Sequence, residues 1–142
     1  MKTNINLNQL LDEIGDAVIV ADAKEIIVLW NAAATRIFGY SEEEALGKSL
    51  ELITPERHRH RHSEGFSQSM ATGTTRYGSS LLKVPAKHQD GHTLSIAFTV
   101  GMLFDENHQA TGVVAVIRDE TERFAQERAL KQRLAELENP QS

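Results

Sequence analysis

Two hydrophobic periods alternate along this chain. Leu7, Leu10, Leu11 and Ile14 recur at three- and four-residue spacing, which predicts a short amphipathic helix ended by Gly15. The unbroken, β-branched run Ala17-Val18-Ile19-Val20-Ala21-Asp22 predicts a buried strand, and the polar turn through Glu25 leads into a second at 26–30. Asn31 is an N-cap for a helix that Gly39 stops, and Ser41 with Glu44 forms a capping box that opens another, ended by Gly47. Residues 49–53 read as a short connection. Helical signals return at 54–73, where Thr54 is placed to cap, Pro55 to take the first helical position and Gly73 to stop the helix. Three longer strands follow, at 77–87, 93–104 and 110–118, divided by the turns His88-Gln89-Asp90-Gly91 and Asp105-Glu106-Asn107-His108-Gln109. Pro85 marks the first of them as an edge strand or a bulge. In the second, Leu94, Ile96, Phe98, Val100 and Met102 share one face; in the third, the near-continuous run 113–117 predicts a central position. Ile96, Phe98, Val114 and Val116 are expected in the core. From Thr121 the composition turns to Glu, Arg, Lys, Gln, Ala and Leu, a helix that Asn139-Pro140 ends.

The order is β-β-α-α-α-β-β-β with a helix at each end, an α+β class. Hairpin turns make the last three strands antiparallel neighbours, and the helices between strands two and three must cover one face of the sheet. A pocket is expected between the two layers. The division is 1–15 for the N-terminal helix, 16–119 for the sheet domain, 120–138 for the C-terminal helix and 139–142 for a tail.

With 142 residues, 40% hydrophobic and 25% charged, the chain can close one core without staples. It has no cysteine, which excludes disulfides, thiolate ligands and cysteine nucleophiles. No apolar run is long enough for a signal peptide or a membrane span, so a cytoplasmic protein is expected, with no membrane partner. A net charge of −5 argues against nucleic-acid binding, and the basic turn at 57–61 is too small to reverse that.

The histidines of 54–73 carry the candidate chemistry. Each helical residue advances about 100°, so with His62 at zero, Phe66 falls at about 40° and Met70 at about 80°. His62 therefore shares the face of the large apolar side chains, while Arg57, His60 and Glu64 lie opposite. A histidine on such a face serves most often as a hydrogen-bonded boundary residue. The sharper reading is an axial iron ligand, since neutral imidazole suits iron. His58 and His62, four residues apart, could hold zinc, but no third ligand or nearby acid accompanies them in the sequence. No nucleophile–base grouping, phosphate loop or carboxylate pair appears, so an enzyme is not expected.

The run from about Leu10 to Arg123 resembles a PAS domain, the sensory fold of bacterial kinases, regulators and chemoreceptors. The marks, in order, are Asp16–Asp22, Trp30-Asn31-Ala32-Ala33-Ala34, Phe38-Gly39-Tyr40-Ser41, Glu44-Ala45-Leu46-Gly47-Lys48, Asp90-Gly91 and Arg118-Asp119-Glu120-Thr121. The resemblance implies a five-stranded antiparallel sheet of order 2-1-5-4-3 with helices over one face, and a role in binding or sensing. Photosensors of the flavin LOV type and of the coumarate type need a cysteine that this chain lacks. Pro55-Glu56 through Arg61-His62-Ser63 is similar to the helix of haem-binding oxygen-sensor PAS domains, with His62 at the position of the haem ligand. Where those sensors can place an arginine on the following strand, this chain has Leu82. The cofactor is thus unassigned, with haem a candidate and flavin held without cysteine, stacked on Trp30, a weaker one. The expected lining is His62, Phe66, Met70, Leu82, Ile96, Phe98 and Met102, with His62 a metal ligand only to haem.

Two functions follow. In one, a ligand or cofactor in the pocket alters the sheet, and the C-terminal helix reports it. In the other, the core is filled and the domain serves only dimerisation or docking. Asp119-Glu120-Thr121 resembles the Asp-x-Thr step that joins PAS sheets to signalling helices, with Thr121 available to cap the helix and Asp119 to tie it to the strand. Leu130, Leu134 and Leu137 then form a short apolar seam that gains from a partner helix. A homodimer is expected, built on that seam together with Leu7, Leu10, Leu11 and Ile14. If Ser142 is the natural terminus, the output is a separate kinase, cyclase or regulator; otherwise the chain is part of a longer sensor.

Overall fold

A computed structural model of the protein describes residues 4–75 and 80–138. A helix α1 (Leu7–Glu13) precedes strands β1 (Ala17–Asp22) and β2 (Ile27–Trp30); helices α2 (Ala32–Phe38), α3 (Glu42–Ala45) and α4 (Arg59–Thr72) come next. Strands β3 (Leu82–Lys87), β4 (Thr93–Phe104) and β5 (Ala110–Asp119) lead to the closing helix α5 (Thr121–Glu138). The sheet has the order β2-β1-β5-β4-β3, antiparallel throughout. The α+β class and this order agree with the sequence reading, and Pro85 does lie on an edge strand.

The core is concentrated where β1 and β2 meet α2 and α3. Trp30, Phe38, Ile19 and Ile27 are fully buried there. Trp30 packs on Phe38 with ring centroids 5.8 Å apart, and its indole N–H donates to Thr35 Oγ1 and to the Tyr40 carbonyl. Asn31 organises the junction. Its Oδ1 accepts from Ala34 N, capping α2, and also from Val18 N of β1; its Nδ2 donates to the carbonyls of Leu11 and Asp16. One buried amide thus joins α1, β1 and α2. The capping box at Ser41 and Glu44 forms in both directions.

Several expectations need correction. The helix expected over 54–73 is broken. Thr54 does not cap it: its hydroxyl donates back to the Leu50 carbonyl, closing a 3-10 turn at Leu50–Ile53. A second 3-10 turn, Glu56–His58, intervenes before α4, whereas Gly73 ends α4 in the left-handed conformation as expected. The strand expected from residue 77 begins at Leu82; positions 77–79 lie outside the described residues, and Leu81 is exposed and unpaired in the sheet. Ile26 is not part of β2 but bridges to Ser49.

Val116 is not in the core; it is 38% exposed. Phe98 pairs with Ile117, Val100 with Ala115 and Met102 with Val113, so the odd-numbered residues of β5 face the helices and the even ones face away. Val114 is only half-buried for the same reason, and Phe98 is half-buried rather than enclosed. Ile96 is buried as expected, and Leu94, on the same strand face, is buried beside it.

Candidate functional site

α4 lies against β5 yet buries none of its own side chains, in contrast to α2, which buries Ala33, Ala34 and Phe38. Its most covered positions include Ser63, Phe66, Ser69 and Met70, all half-buried. Opposite them, along the inner face of β4 and β5, Phe98, Val100, Met102, Val113 and Ala115 are likewise half-buried. Phe98 and Ala115 still touch the core cluster. Beyond them the inner face is apolar but incompletely covered. Leu82 is half-buried across from Phe98 on the edge strand β3. A separate cleft of about 310 Å³ lies at the seam of α1, β2 and α3, lined by Leu11, Asp12, Leu29, Trp30 and Asn31 among others.

His62 is not buried within this band. Its side chain is 41% exposed, and Nδ1 meets Glu25 Oε1 at 2.9 Å. The neighbouring Ser63 hydroxyl contacts both Glu25 oxygens, at 3.0 and 3.3 Å. Glu25 sits at the tip of the β1–β2 turn with φ +69°, and its side chain is 13% exposed. Asp22 builds that turn by accepting from Lys24 N and Ile26 N. The face carrying His62 therefore meets a turn carboxylate instead of the sheet interior, which is why it is not enclosed. A carboxylate oxygen only accepts, so Nδ1 is the donor in this contact, and in a neutral imidazole Nε2 would keep its lone pair. An imidazole oriented by a carboxylate on its far nitrogen is how metal-bound histidines are commonly held. A neutral His62 so held would have the donor chemistry of an iron-binding imidazole.

His60 points away from this band and pairs with Glu64 at 3.0 Å, largely exposed. His58, in the preceding 3-10 turn, accepts at Nε2 from the Arg57 guanidinium, so the three histidines of 58–62 do not share one partner. Glu25 and Ser63 had no signal in the sequence, because their meeting depends on the turn and α4 approaching across 38 positions.

The C-terminal junction is specific. Asp119 Oδ1 accepts from Thr121 N at 2.9 Å and from its hydroxyl at 2.5 Å. Thr121 Oγ1 in turn accepts from Ser95 N at 2.9 Å, and Ser95 O accepts from Glu120 N at 2.8 Å. Thr121 thus holds β4 rather than capping α5; Asp119 supplies the cap-like contact. Ser95 lies between the buried Leu94 and Ile96, a link that the sequence does not signal. Farther along α5, Leu130, Leu134 and Leu137 are exposed, as are Leu7 and Leu10 on α1; Leu11 and Ile14 are half-buried.

Comparison with known proteins agrees with this architecture. The family model described as the PAS fold matches residues 6–119. The chain is 38% identical over 126 residues to an uncharacterized protein of Azorhizobium caulinodans, covering 86% of this chain and 16% of that protein. It is 31% identical over 132 residues to the sensor protein FixL of Bradyrhizobium diazoefficiens, covering 93% of this chain and 26% of that one. The chain therefore spans about a quarter or less of these relatives' length. Among solved structures, the PAS domain of a Colwellia psychrerythraea protein superposes with a TM-score of 0.70 at 24% identity, covering 80% of this chain and 93% of that one. An RNA-binding light-oxygen-voltage receptor superposes at 0.73 and 21%, covering 91% of this chain and 36% of the receptor. No helix among the described residues is long and apolar enough to cross a membrane. The chain belongs to the PAS family of sensory domains.

Proposed function

We propose that this PAS domain binds a small molecule or cofactor against the inner face of β4 and β5 beneath α4, and relays its presence through α5. The observation that carries this reading is the uneven packing of the helical layer. α2 is locked into the core, whereas α4 covers an apolar sheet face without burying a residue of its own. A guest contacting Phe66, Met70, Leu82, Phe98 and Met102, with the buried Ile96 at its margin, would complete that layer and cover those half-buried side chains. The relay runs along β4, whose Ser95 is hydrogen-bonded on both sides to the start of α5. On this reading residues 16–119 sense, residues 1–15 and 120–138 flank, and the protein acts in the cytoplasm as a homodimer upon a kinase, cyclase or regulator. Native mass spectrometry of the purified chain tests occupancy: a species heavier than the bare 15.8 kDa chain supports it, and the bare mass alone counts against it.

A second reading, haem, is favoured by the His62–Glu25 contact. His62 Nε2 would be the axial ligand, Glu25 would hold the imidazole by Nδ1, and Ser63 would fix the carboxylate. Haem, when bound, supplies an iron that takes diatomic gases or changes redox state. The chain's own contribution is to orient the ring and exclude water with Phe66 and Met70. The protein mixed with haem should show a Soret band that His62→Ala abolishes and His60→Ala, on the outer face, preserves. No band in wild type would end this reading and leave the broader one standing. Flavin remains the weaker cofactor candidate, because the indole N–H of Trp30 is committed and the ring is buried against Phe38.

A further inference from the structure

The β3–β4 turn gathers three metal-ligating side chains that sensing at α4 does not use. His88, Asp90 and His92 alternate through the turn, and one ligand atom of each lies within 4.8 Å of the others. The two imidazoles stack, with centroids 4.5 Å apart at 23°, so their Nδ1 edges flank one carboxylate oxygen, Asp90 Oδ1. The positions are built into the fold. The His88 ring is set against Gly39, where a Cβ would come within 2.8 Å of its Nε2, and Gln89 N donates to the Phe38 carbonyl. Gly39 has φ +88° and closes α2, so the turn is seated on the end of that helix.

The hydrogen bonds within the turn leave one contact unexplained. The Asp90 amide donates to His88 Nδ1 at 3.1 Å, which requires a lone pair on that nitrogen. The same nitrogen lies 3.2 Å from Asp90 Oδ1, so two acceptors face each other. A proton on the pair would relieve this, and so would a cation. The spacing is close to the roughly 3.4 Å between neighbouring ligands of a tetrahedral zinc ion. His92 Nδ1 approaches the same oxygen from the other side, and the His92 amide donates to it at 3.0 Å.

We infer that the β3–β4 turn is a binding site for a borderline divalent cation of the zinc class, with His88 Nδ1, Asp90 Oδ1 and His92 Nδ1 as ligands and a fourth position open to water. Two nitrogens and one carboxylate oxygen suit zinc and disfavour magnesium, which takes oxygen ligands. The cation would replace the Asp90 amide at His88 and take the lone pair of His92 Nδ1, the single hydrogen of that neutral imidazole then residing on Nε2. It would also pin the hairpin to α2. The site stands apart from α4, and neither haem nor any other guest is needed for it.

Calorimetric titration of the full chain with zinc chloride tests this, in a background where His58, His60 and His62 are all replaced by Ala so that α4 cannot compete. One zinc per chain is expected, with no heat from magnesium chloride. His92→Ala and Asp90→Asn, both at exposed positions, should each weaken binding by about tenfold or more. The amide resonances of positions 91 and 92 should move with zinc in the background protein and need about tenfold or more zinc to move in His92→Ala. The inference is overturned if the background protein binds no zinc at about 1 mM, or if either substitution leaves the dissociation constant within about threefold. The acceptor pair would then be relieved by a proton alone.

Discussion

Ser95 and Thr121 are joined at the end of the β4–β5 ladder: the Ser95 amide donates to Thr121 Oγ1 at 2.9 Å, and the Ser95 carbonyl takes the Glu120 amide at 2.8 Å. The two bonds extend the strand's hydrogen bonding into the first turn of α5. Because Leu94 and Ile96 on either side are buried, a shift in the packing of β4 must move this junction with it.

Thr121→Val keeps the shape of the side chain and removes the acceptor. The Ser95 amide, half-buried, would then lack a partner, at a cost of about 1–3 kcal/mol. Urea unfolding should show that loss, and Thr121→Ser should recover most of it. An unchanged midpoint for Thr121→Val would mean that the bond contributes nothing to the junction.

A second expectation concerns pH. The Ser41 amide, and then its hydroxyl, hold the Glu44 carboxyl below the usual carboxylate range. A folded-state value below the unfolded one stabilises the protein at neutral pH, and the contribution is lost as pH falls through the folded value. In an NMR titration, the Glu44 carboxyl should titrate at lower pH in the folded chain than in the urea-unfolded chain. The Ser41 amide should shift with the same midpoint. Equal folded and unfolded midpoints would contradict the capping box as the cause.

Much of the architecture is legible from local chemistry. Asp90-Gly91 marks the β3–β4 hairpin and Asn31 and Ser41 mark helix starts, because turns and caps are satisfied by residues a few positions apart. What is not legible depends on parity or on distance. The run 113–117 is apolar at odd and even positions alike, so its inner face shows only once Phe98 is paired with Ile117. The break at Thr54 follows from a hydroxyl that could bond forward or back and bonds back to Leu50. The helical wheel sets His62 beside Phe66 and Met70, which are half-buried while His62 is exposed, and a wheel cannot say what stands opposite. That is Glu25, 37 residues away on a turn.

The exposed seam of α5 carries the next expectation. Leu130, Leu134 and Leu137 are 59%, 50% and 69% exposed, and an isolated helix of this composition gains from a partner. Sedimentation equilibrium should show a dimer at high micromolar concentration, converted to monomer by Leu130→Glu with Leu134→Glu. A wild-type monomer, or a dimer indifferent to both changes, would rule out α5 as the interface.

Amide hydrogen exchange tests the central claim, that a guest beneath α4 is felt at α5. The protein would be compared as purified and after its guest has been removed by unfolding, extraction and refolding. Stripping should speed exchange at Phe66, Met70 and Phe98, and equally at Ser95 and Thr121, which a guest would not touch. Faster exchange confined to α4 and the inner face, with Ser95 and Thr121 unchanged, would contradict the relay; no difference anywhere would contradict the binding site itself.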